Sequence, residues 1–180
     1  MQESTSTPLV SADIIIPPVD VLQTQIDEKR QTIHKDAYSM SLGELVSMYK
    51  EKELVLHPEY QRLFRWSIEQ KSMFIDSILL GIPIPSIFVA QRESGAWEVV
   101  DGLQRLATVF ELLGILKDPD TGETLPRTVL KATPYLPALE GRYWADEDSG
   151  DEKALRGPQR LLIKRAKIDV QIVLKESGAR

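Results

Sequence analysis

The sequence contains no cysteine and only two histidines, His34 and His57, among its 180 residues. The absence of cysteine excludes disulfide bonds, thiolate zinc sites and cysteine-based catalysis. The two histidines lack the spacing of a metal-binding pair, so we expect no metal site. No apolar run approaches the roughly 20 residues that span a bilayer, and the N-terminus lacks the basic and apolar regions of a secretory signal. We therefore expect a cytoplasmic protein with no membrane partner.

Positive charge is also scarce, because the formal net charge is −5 at pH 7. A negative overall field repels polyanions, whereas release of counterions by basic side chains supplies most nucleic-acid affinity. Strong DNA binding by this chain alone is therefore disfavoured. The charge is unevenly distributed, with acidic residues concentrated at 146–152 and four arginines in the middle of the chain: Arg62, Arg65, Arg92 and Arg105. These arginines could still form a local anion-binding site.

The bulk composition predicts one globular domain. Hydrophobic residues make up 42% and charged residues 27% of the chain, close to the averages for globular proteins, and domains cluster around ~100–150 residues. Serine, threonine and the Pro17-Pro18 pair predict a flexible leader over residues 1–18, before a helix from Val19 to Ile33. We assign residues 1–40 to this leader and helix, and residues 41–180 to the folded domain.

Within the domain, the patterns predict alternating helices and short strands. Two serines followed three residues later by Glu or Gln predict capping boxes at helix starts: Ser41 with Glu44, and Ser67 with Gln70. A third helix is predicted over Leu103–Leu116 from its apolar spacing. The predicted strands are Leu54–His57, Ser86–Gln91, Ala96–Val100 and Ala166–Leu174, with the second and third joined as a hairpin.

The hairpin leads through Asp101-Gly102 directly into the third helix. Such a turn offers free backbone N–H groups and the positive end of a helix dipole, with Gly102 allowing close approach of a ligand and Arg105 able to fork onto a phosphate. Thr108 lies one turn beyond Gln104. The alternative is that Asp101 and Gln104 form a further capping box while Arg105 is solvated, and the residues alone favour this alternative.

A second candidate region is the loop from His57 to Arg62, followed by Arg65 and Trp66. Arginine beside aromatic rings suits a nucleobase and its phosphates. The alternative is that Tyr60 and Trp66 pack in the core while the arginines are solvated. The residues do not decide between these interpretations. Asp76, between apolar helix positions, is predicted to be a solvated or hydrogen-bonded carboxylate rather than an acid catalyst.

Four motifs occur in the order found in one family: Pro58-Glu59-Tyr60-Gln61-Arg62, Ile75-Asp76-Ser77-Ile78-Leu79, Pro83-Ile84-Pro85 and Asp101-Gly102-Leu103-Gln104-Arg105-Leu106. The chain resembles the ParB/sulfiredoxin-like N-terminal domain of GmrSD-type modification-dependent restriction proteins. The resemblance is good over about residues 41–116 and looser over the final strand. It implies an α/β (α+β) domain with a small mixed sheet flanked by helices.

The family's Asp-Gly-Gln-Gln-Arg signature is associated with nucleotide binding and hydrolysis. The resemblance therefore implies catalytic roles for Asp101 and Arg105, and a nucleoside triphosphate with magnesium as the ligand. The implied nucleotide-binding residues are Gln61, Arg62, Gly102, Gln104, Arg105 and Thr108. Leu103 stands where the signature often has glutamine, so the resemblance does not decide whether the domain hydrolyses the triphosphate weakly.

The resemblance also implies a nuclease partner, as a domain in cis or a subunit in trans, with DNA reached through that partner. Relatives usually continue past the last strand, so we expect an isolated or truncated domain. The chain has no His-Asn-His pattern, and no nuclease activity is expected from it. Two alternatives remain: a ParB-like DNA-reading module without nucleotide chemistry, and a degenerate interaction domain in which Leu103 marks lost activity.

Overall fold

The computed structural model describes residues 19–32, 35–57, 65–147 and 150–174. The chain divides into two compact units, Met1–Ile33 and His34–Arg180. The first unit contains helix α1, Val19–Thr32, close to its predicted bounds. The elements of the second unit, in chain order, are β1 (Lys35–Ser41), α2 (Leu42–Lys50), β2 (Leu54–Leu56), α3 (Ile68–Leu79), β3 (Ile87–Gln91), β4 (Trp97–Asp101), α4 (Leu103–Leu112), a 3-10 turn (Pro137–Leu139), α5 (Gly157–Arg165) and β5 (Lys167–Leu174).

The strands form a five-stranded mixed sheet in the order β1-β5-β3-β4-β2. β1 pairs antiparallel with β5, and β3 pairs parallel with β5. The predicted hairpin is present as the antiparallel pair β3–β4, and β2 runs parallel to β4. This mixed sheet with its helices confirms the predicted fold class. Among the described residues, no helix is both long and apolar enough to cross a membrane.

One face of the sheet packs against helices of the second unit. Along β5, Ile168, Val170 and Ile172 are buried whereas Asp169 is exposed, because successive strand side chains point to opposite faces. The buried strand residues join apolar side chains of α2, α3 and α4 in one core, which includes Leu42, Leu45, Ile75, Ile78, Ile87, Val89, Val99, Leu106, Val109 and Phe110. The core therefore fixes α4 against β3 and β4, and with it the start of α4.

Both predicted serine capping boxes are confirmed. The Ser41 hydroxyl accepts a hydrogen bond from the Glu44 N–H, and the Glu44 carboxylate accepts one from the Ser41 N–H at 2.7 Å. Ser67 and Gln70 make the equivalent pair at the start of α3. These reciprocal bonds satisfy backbone donors that a helix start otherwise leaves unpaired. The two helices consequently begin at the positions read from the sequence.

Three features differ from the predicted elements. β1 and α5 were not predicted, and α4 ends at Leu112 rather than Leu116. Gly114, with φ of +70°, follows the end of α4, and its left-handed backbone is a common way for a helix to stop. Segment 126–145 then crosses α3, where Ser72 accepts a hydrogen bond from the Lys131 N–H at 2.9 Å.

Candidate functional site

The turn between β4 and α4 requires glycine for two independent reasons. Gly102 has φ of +88° and ψ of +11°, a left-handed conformation that other residues rarely adopt. A Cβ atom at this position would lie 2.4 Å from Cγ2 of Ile87, which is fully buried in β3. The chain therefore passes from β4 into α4 in direct contact with β3, and no side chain projects from the turn at residue 102.

The predicted capping box at this turn is wrong. Gly102, not Asp101, is the N-cap residue of α4, and no side chain caps the helix start. The side chain of Gln104 is used elsewhere, because its Oε1 accepts a hydrogen bond from the Trp66 N–H at 3.1 Å. The start of α4 borders an open cavity of about 390 Å³, lined by Trp66 and residues 100–105. The positive end of the α4 dipole is thus left without a capping group beside open space.

Arg105 lies beside the same turn but is largely committed to the fold. Its Nη1 donates to the carbonyl oxygen of Ser86 at 3.0 Å and also to that of Pro85. Its Nη2 lies 3.5 Å from Oδ2 of Asp101, and its side chain is only 15% exposed, against 67% for Asp101. Arg105 therefore holds the segment before β3 against the start of α4 and leaves the Asp101 carboxylate in solvent.

A second cavity, of about 330 Å³, adjoins the first and shares Leu103 and Gln104 with it. Three cationic side chains and one carboxylate line it: Arg65, Lys71, Arg127 and Glu111. Lys71 Nζ lies 2.5 Å from Glu111 Oε2, and both side chains are mostly buried. Arg127 donates to the Trp144 carbonyl oxygen at 3.0 Å and pairs with Asp146. The wall of this cavity carries more positive than negative charge, in a chain whose net charge is negative.

The other predicted site residues divide into two groups. Thr108 lines the second cavity, but its hydroxyl donates to the Gln104 carbonyl oxygen at 2.7 Å and its side chain is buried. Gln61 and Arg62 lie outside the described residues. The structure therefore brings together five predicted site residues around the first turns of α4: Asp101, Gly102, Gln104, Arg105 and Thr108. The nucleotide-binding roles of Gln61 and Arg62 stay predictions.

The sequence predicted that Asp76 would be either solvated or hydrogen-bonded, and in the structure it is buried and hydrogen-bonded. The residue is 3% exposed, and Oδ2 accepts a hydrogen bond from the Thr133 hydroxyl. Its other oxygen, Oδ1, has no hydrogen-bond partner. In the described part of the chain, no group of three or more His, Asp or Glu side chains is arranged to hold a metal ion.

Sequence reasoning did not single out Lys71, Glu111 or Arg127. A signal for Glu111 was available, because Gln104, Thr108 and Glu111 recur at spacings of four and three and so share one face of α4. Lys71 falls three residues after Ile68 and four before Ile75, within the apolar stripe of α3. A charged residue in such a stripe indicates a partner across the interface. Arg127 gave no comparable signal, because it lies in an irregular segment.

These features define a small α/β domain with an uncapped helix start beside a cation-lined cavity. The family described as GmrSD restriction endonuclease, N-terminal domain, matches residues 42–173. The chain belongs to this family, and it is accordingly a component of a restriction system, in which a nuclease domain is the implied partner. No curated protein and no solved structure gives a significant match.

Proposed function

We propose that this domain binds a nucleoside triphosphate across the two cavities that flank the first turn of α4, and that occupancy regulates a partner nuclease. The single observation that carries the proposal is the start of α4, where no side chain caps the helix and an open cavity lies beside the first turn. Backbone N–H groups and the helix dipole at such a start favour phosphate. The nucleotide phosphates would lie at the Asp101-Gly102 turn.

The charge around the second cavity supports the same ligand. Arg65, Lys71 and Arg127 still outnumber the carboxylates when Asp146, the partner of Arg127, is counted with Glu111, so a polyanion held at the turn would extend toward favourable potential. Arg105 contributes to the site mainly as a positioning residue, because its Nη1 is bonded to the carbonyl oxygens of Pro85 and Ser86. Its charge at the turn is partly offset by the Asp101 carboxylate, whose Oδ2 lies 3.5 Å from Nη2 of Arg105.

A magnesium ion fits the donor set only together with the nucleotide. Asp101 provides one exposed carboxylate, and magnesium usually binds through one or two carboxylates plus substrate phosphates and water. When bound, the ion would neutralise phosphate charge. Asp101 would also be the group that orients a water at the terminal phosphate, so hydrolysis, if it occurs, depends on this side chain. Phosphate release by the chain and by Asp101→Asn measures that dependence.

Isothermal titration with each of the four ribonucleoside triphosphates plus magnesium tests binding. The informative variant is Arg65→Gln, because Arg65 is exposed at the cavity wall and its replacement leaves the core intact. Loss of a charge-assisted contact should weaken affinity about tenfold or more. The matched control is Arg92→Gln, which removes the same charge from the β3–β4 hairpin, where Arg92 pairs with Glu98 and lines neither cavity.

Equal affinity in Arg65→Gln and Arg92→Gln would contradict the proposed placement, and no binding by the folded chain would contradict the function. Arg105→Ala is a weaker test, because the lost carbonyl contacts would also lower stability. A salt titration separates the DNA-reading alternative, since binding through several DNA phosphates must weaken steeply as salt rises. A folded chain that binds neither ligand would instead favour a degenerate interaction domain.

A further inference from the structure

Trp66 is the tryptophan that the apolar core does not use. The chain has three tryptophans, and all of them lie among the described residues. Trp144 belongs to the core and Trp97 packs against it, whereas Trp66 is part of neither group. Trp66 is half-buried and lines the first cavity together with residues 100–105. A large aromatic side chain that faces a cavity is available to a ligand, because aromatic rings are frequent in the walls of ligand pockets.

Three contacts hold Trp66 in place beside this cavity. Its backbone N–H donates to Oε1 of Gln104 at 3.1 Å, which ties it to the first turn of α4. The next residue, Ser67, is the N-cap of α3, and its N–H donates to Oε1 of Gln70 at 2.9 Å. The indole ring meets Phe74 in an edge-to-face arrangement, with ring centroids 5.6 Å apart and 67° between the planes. The ring is thus fixed before a ligand arrives, which lowers the entropy lost on binding.

The first cavity combines this aromatic wall with the uncapped start of α4. The Asp101-Gly102 turn, where the phosphates are proposed to lie, lines the same cavity as Trp66. Arg65, one residue earlier, lines the second cavity instead. The first cavity has a volume of about 390 Å³, and ligand pockets usually measure about 300–1,000 Å³, so it has room for more than phosphate groups. A flat apolar wall and a helix start in one cavity match the two chemical parts of a nucleotide, its base and its phosphates.

We propose that the nucleobase stacks on the Trp66 ring in the first cavity, and that Gln104 is a positioning residue that holds Trp66 there. This inference rests on the proposed nucleotide binding and adds the part of the site that distinguishes a nucleotide from a bare polyphosphate. Stacking uses the face of a ring, which every base has, so it favours nucleotides as a class over any one base. Gln104 acts through the backbone of Trp66 and not by contact with the base.

The alternative is that Trp66 serves only to cover Phe74 at the margin of the core. Replacement of Trp66 would then lower the stability of the domain and leave its affinity for a ligand unchanged. The two interpretations differ in one measurable quantity, which is the difference in affinity between a nucleoside triphosphate and inorganic triphosphate. Inorganic triphosphate carries the row of phosphates without the base.

The test is isothermal titration of the whole chain with each ribonucleoside triphosphate and with inorganic triphosphate, all with magnesium. The native chain should bind the nucleotides more tightly. Trp66→Leu should weaken nucleotide binding about 5- to 150-fold, the loss expected for one base–aromatic contact, and leave the affinity for inorganic triphosphate unchanged. Trp66→Phe keeps an aromatic face and should retain most of the nucleotide affinity. Trp97→Leu is the matched control, because Trp97 is also half-buried but lines neither cavity, and it should change neither affinity.

A double-mutant cycle tests the role of Gln104. Gln104→Leu should weaken the binding of nucleotides but not of inorganic triphosphate, because it removes the acceptor that holds the Trp66 N–H. In a chain that already carries Trp66→Leu, the same change should have no further effect. A direct bond from Gln104 to the base would instead appear as an additional loss of nucleotide affinity in the double mutant, and this result would overturn the positioning role.

Three outcomes would overturn the stacking and leave a phosphate site at the Asp101-Gly102 turn. They are equal affinity of the native chain for nucleotides and inorganic triphosphate, unchanged nucleotide affinity in Trp66→Leu, and equal weakening of both kinds of ligand by Trp66→Leu. If the folded chain bound neither the nucleotides nor inorganic triphosphate, the proposed function itself would be wrong, and the stacking with it.

Discussion

Replacing Gly102 by alanine tests the close approach of the β4–α4 turn to β3. Gly102 has φ of +88°, and an added Cβ would lie 2.4 Å from Cγ2 and 3.0 Å from Cβ of Ile87. Ile87 is fully buried, so it has no free space into which to move. Gly95, in the β3–β4 hairpin, provides a matched control, because its φ is +87° and nothing lies within 4 Å of an added Cβ.

The two substitutions should therefore differ by the steric contribution alone. The left-handed conformation costs an alanine about 1–2 kcal/mol, which is the full expected loss in the free energy of unfolding for Gly95→Ala. Overpacking of a buried site adds about 1–3 kcal/mol, so Gly102→Ala should lose about 2–5 kcal/mol. Against a typical domain stability of about 5–15 kcal/mol, this loss would be large but measurable.

Urea denaturation monitored by tryptophan fluorescence measures both losses, provided that the slope with denaturant is unchanged. A double-mutant cycle locates the cause, because Ile87→Ala removes the Cγ2 atom and should reduce the further cost of Gly102→Ala. If Gly102→Ala cost no more than Gly95→Ala, the turn would be free to move away from β3, and our account of why glycine is required there would be wrong.

Two further predictions concern α3. Thr133→Val should lower the free energy of unfolding by about 1–3 kcal/mol, because it leaves the buried Asp76 carboxylate without a hydrogen-bond donor. Thr133→Ser keeps the hydroxyl and should therefore retain most of the stability of the native chain. A loss below about 0.5 kcal/mol for Thr133→Val in urea denaturation would contradict this account. The hydrogen bond from Lys131 lowers the pKa of Glu69 from 4.5 to about 2. Because the folded-state pKa is depressed, the stabilisation is present above the unfolded value and is lost as the pH falls toward 2. The difference in Tm between the native chain and Glu69→Gln should therefore shrink as the pH falls below 4.5. A difference that does not change with pH would refute the stabilising role of the Lys131–Glu69 hydrogen bond.

Local signals in the sequence predicted the elements whose stability is local. The boxes at Ser41 and Ser67 and the β3–β4 hairpin depend on residues a few positions apart, and the structure confirms them. β1 was missed because its polar sequence forms a strand only by pairing with β5, with Lys35 opposite Val173. α5 was missed because Ile163 is its one fully buried residue, which leaves almost no apolar periodicity.

The candidate site shows the same limit. Asp101-Gly102 was correctly expected to connect a strand to a helix, because the local pattern specifies it. The roles of Gln104 and Arg105 could not be read locally, because their partners are Trp66 and the carbonyl oxygens before β3. The facing pair of Lys71 and Glu111 likewise depends on how α3 packs on α4. Contacts between elements decide which polar groups are left open to a ligand.

The position of β5 inside the sheet imposes an order on biosynthesis. Of the five described strands of the sheet, β5 is the last to be synthesised, yet it lies between β1 and β3 and pairs with both. Until residues 167–174 are available, β1 has no neighbour and one edge of β3 is exposed, a state in which unpaired strands are prone to aggregate. The sheet is therefore completed by insertion of its last-made strand, and a nascent chain halted before Lys167 would need protection by a chaperone.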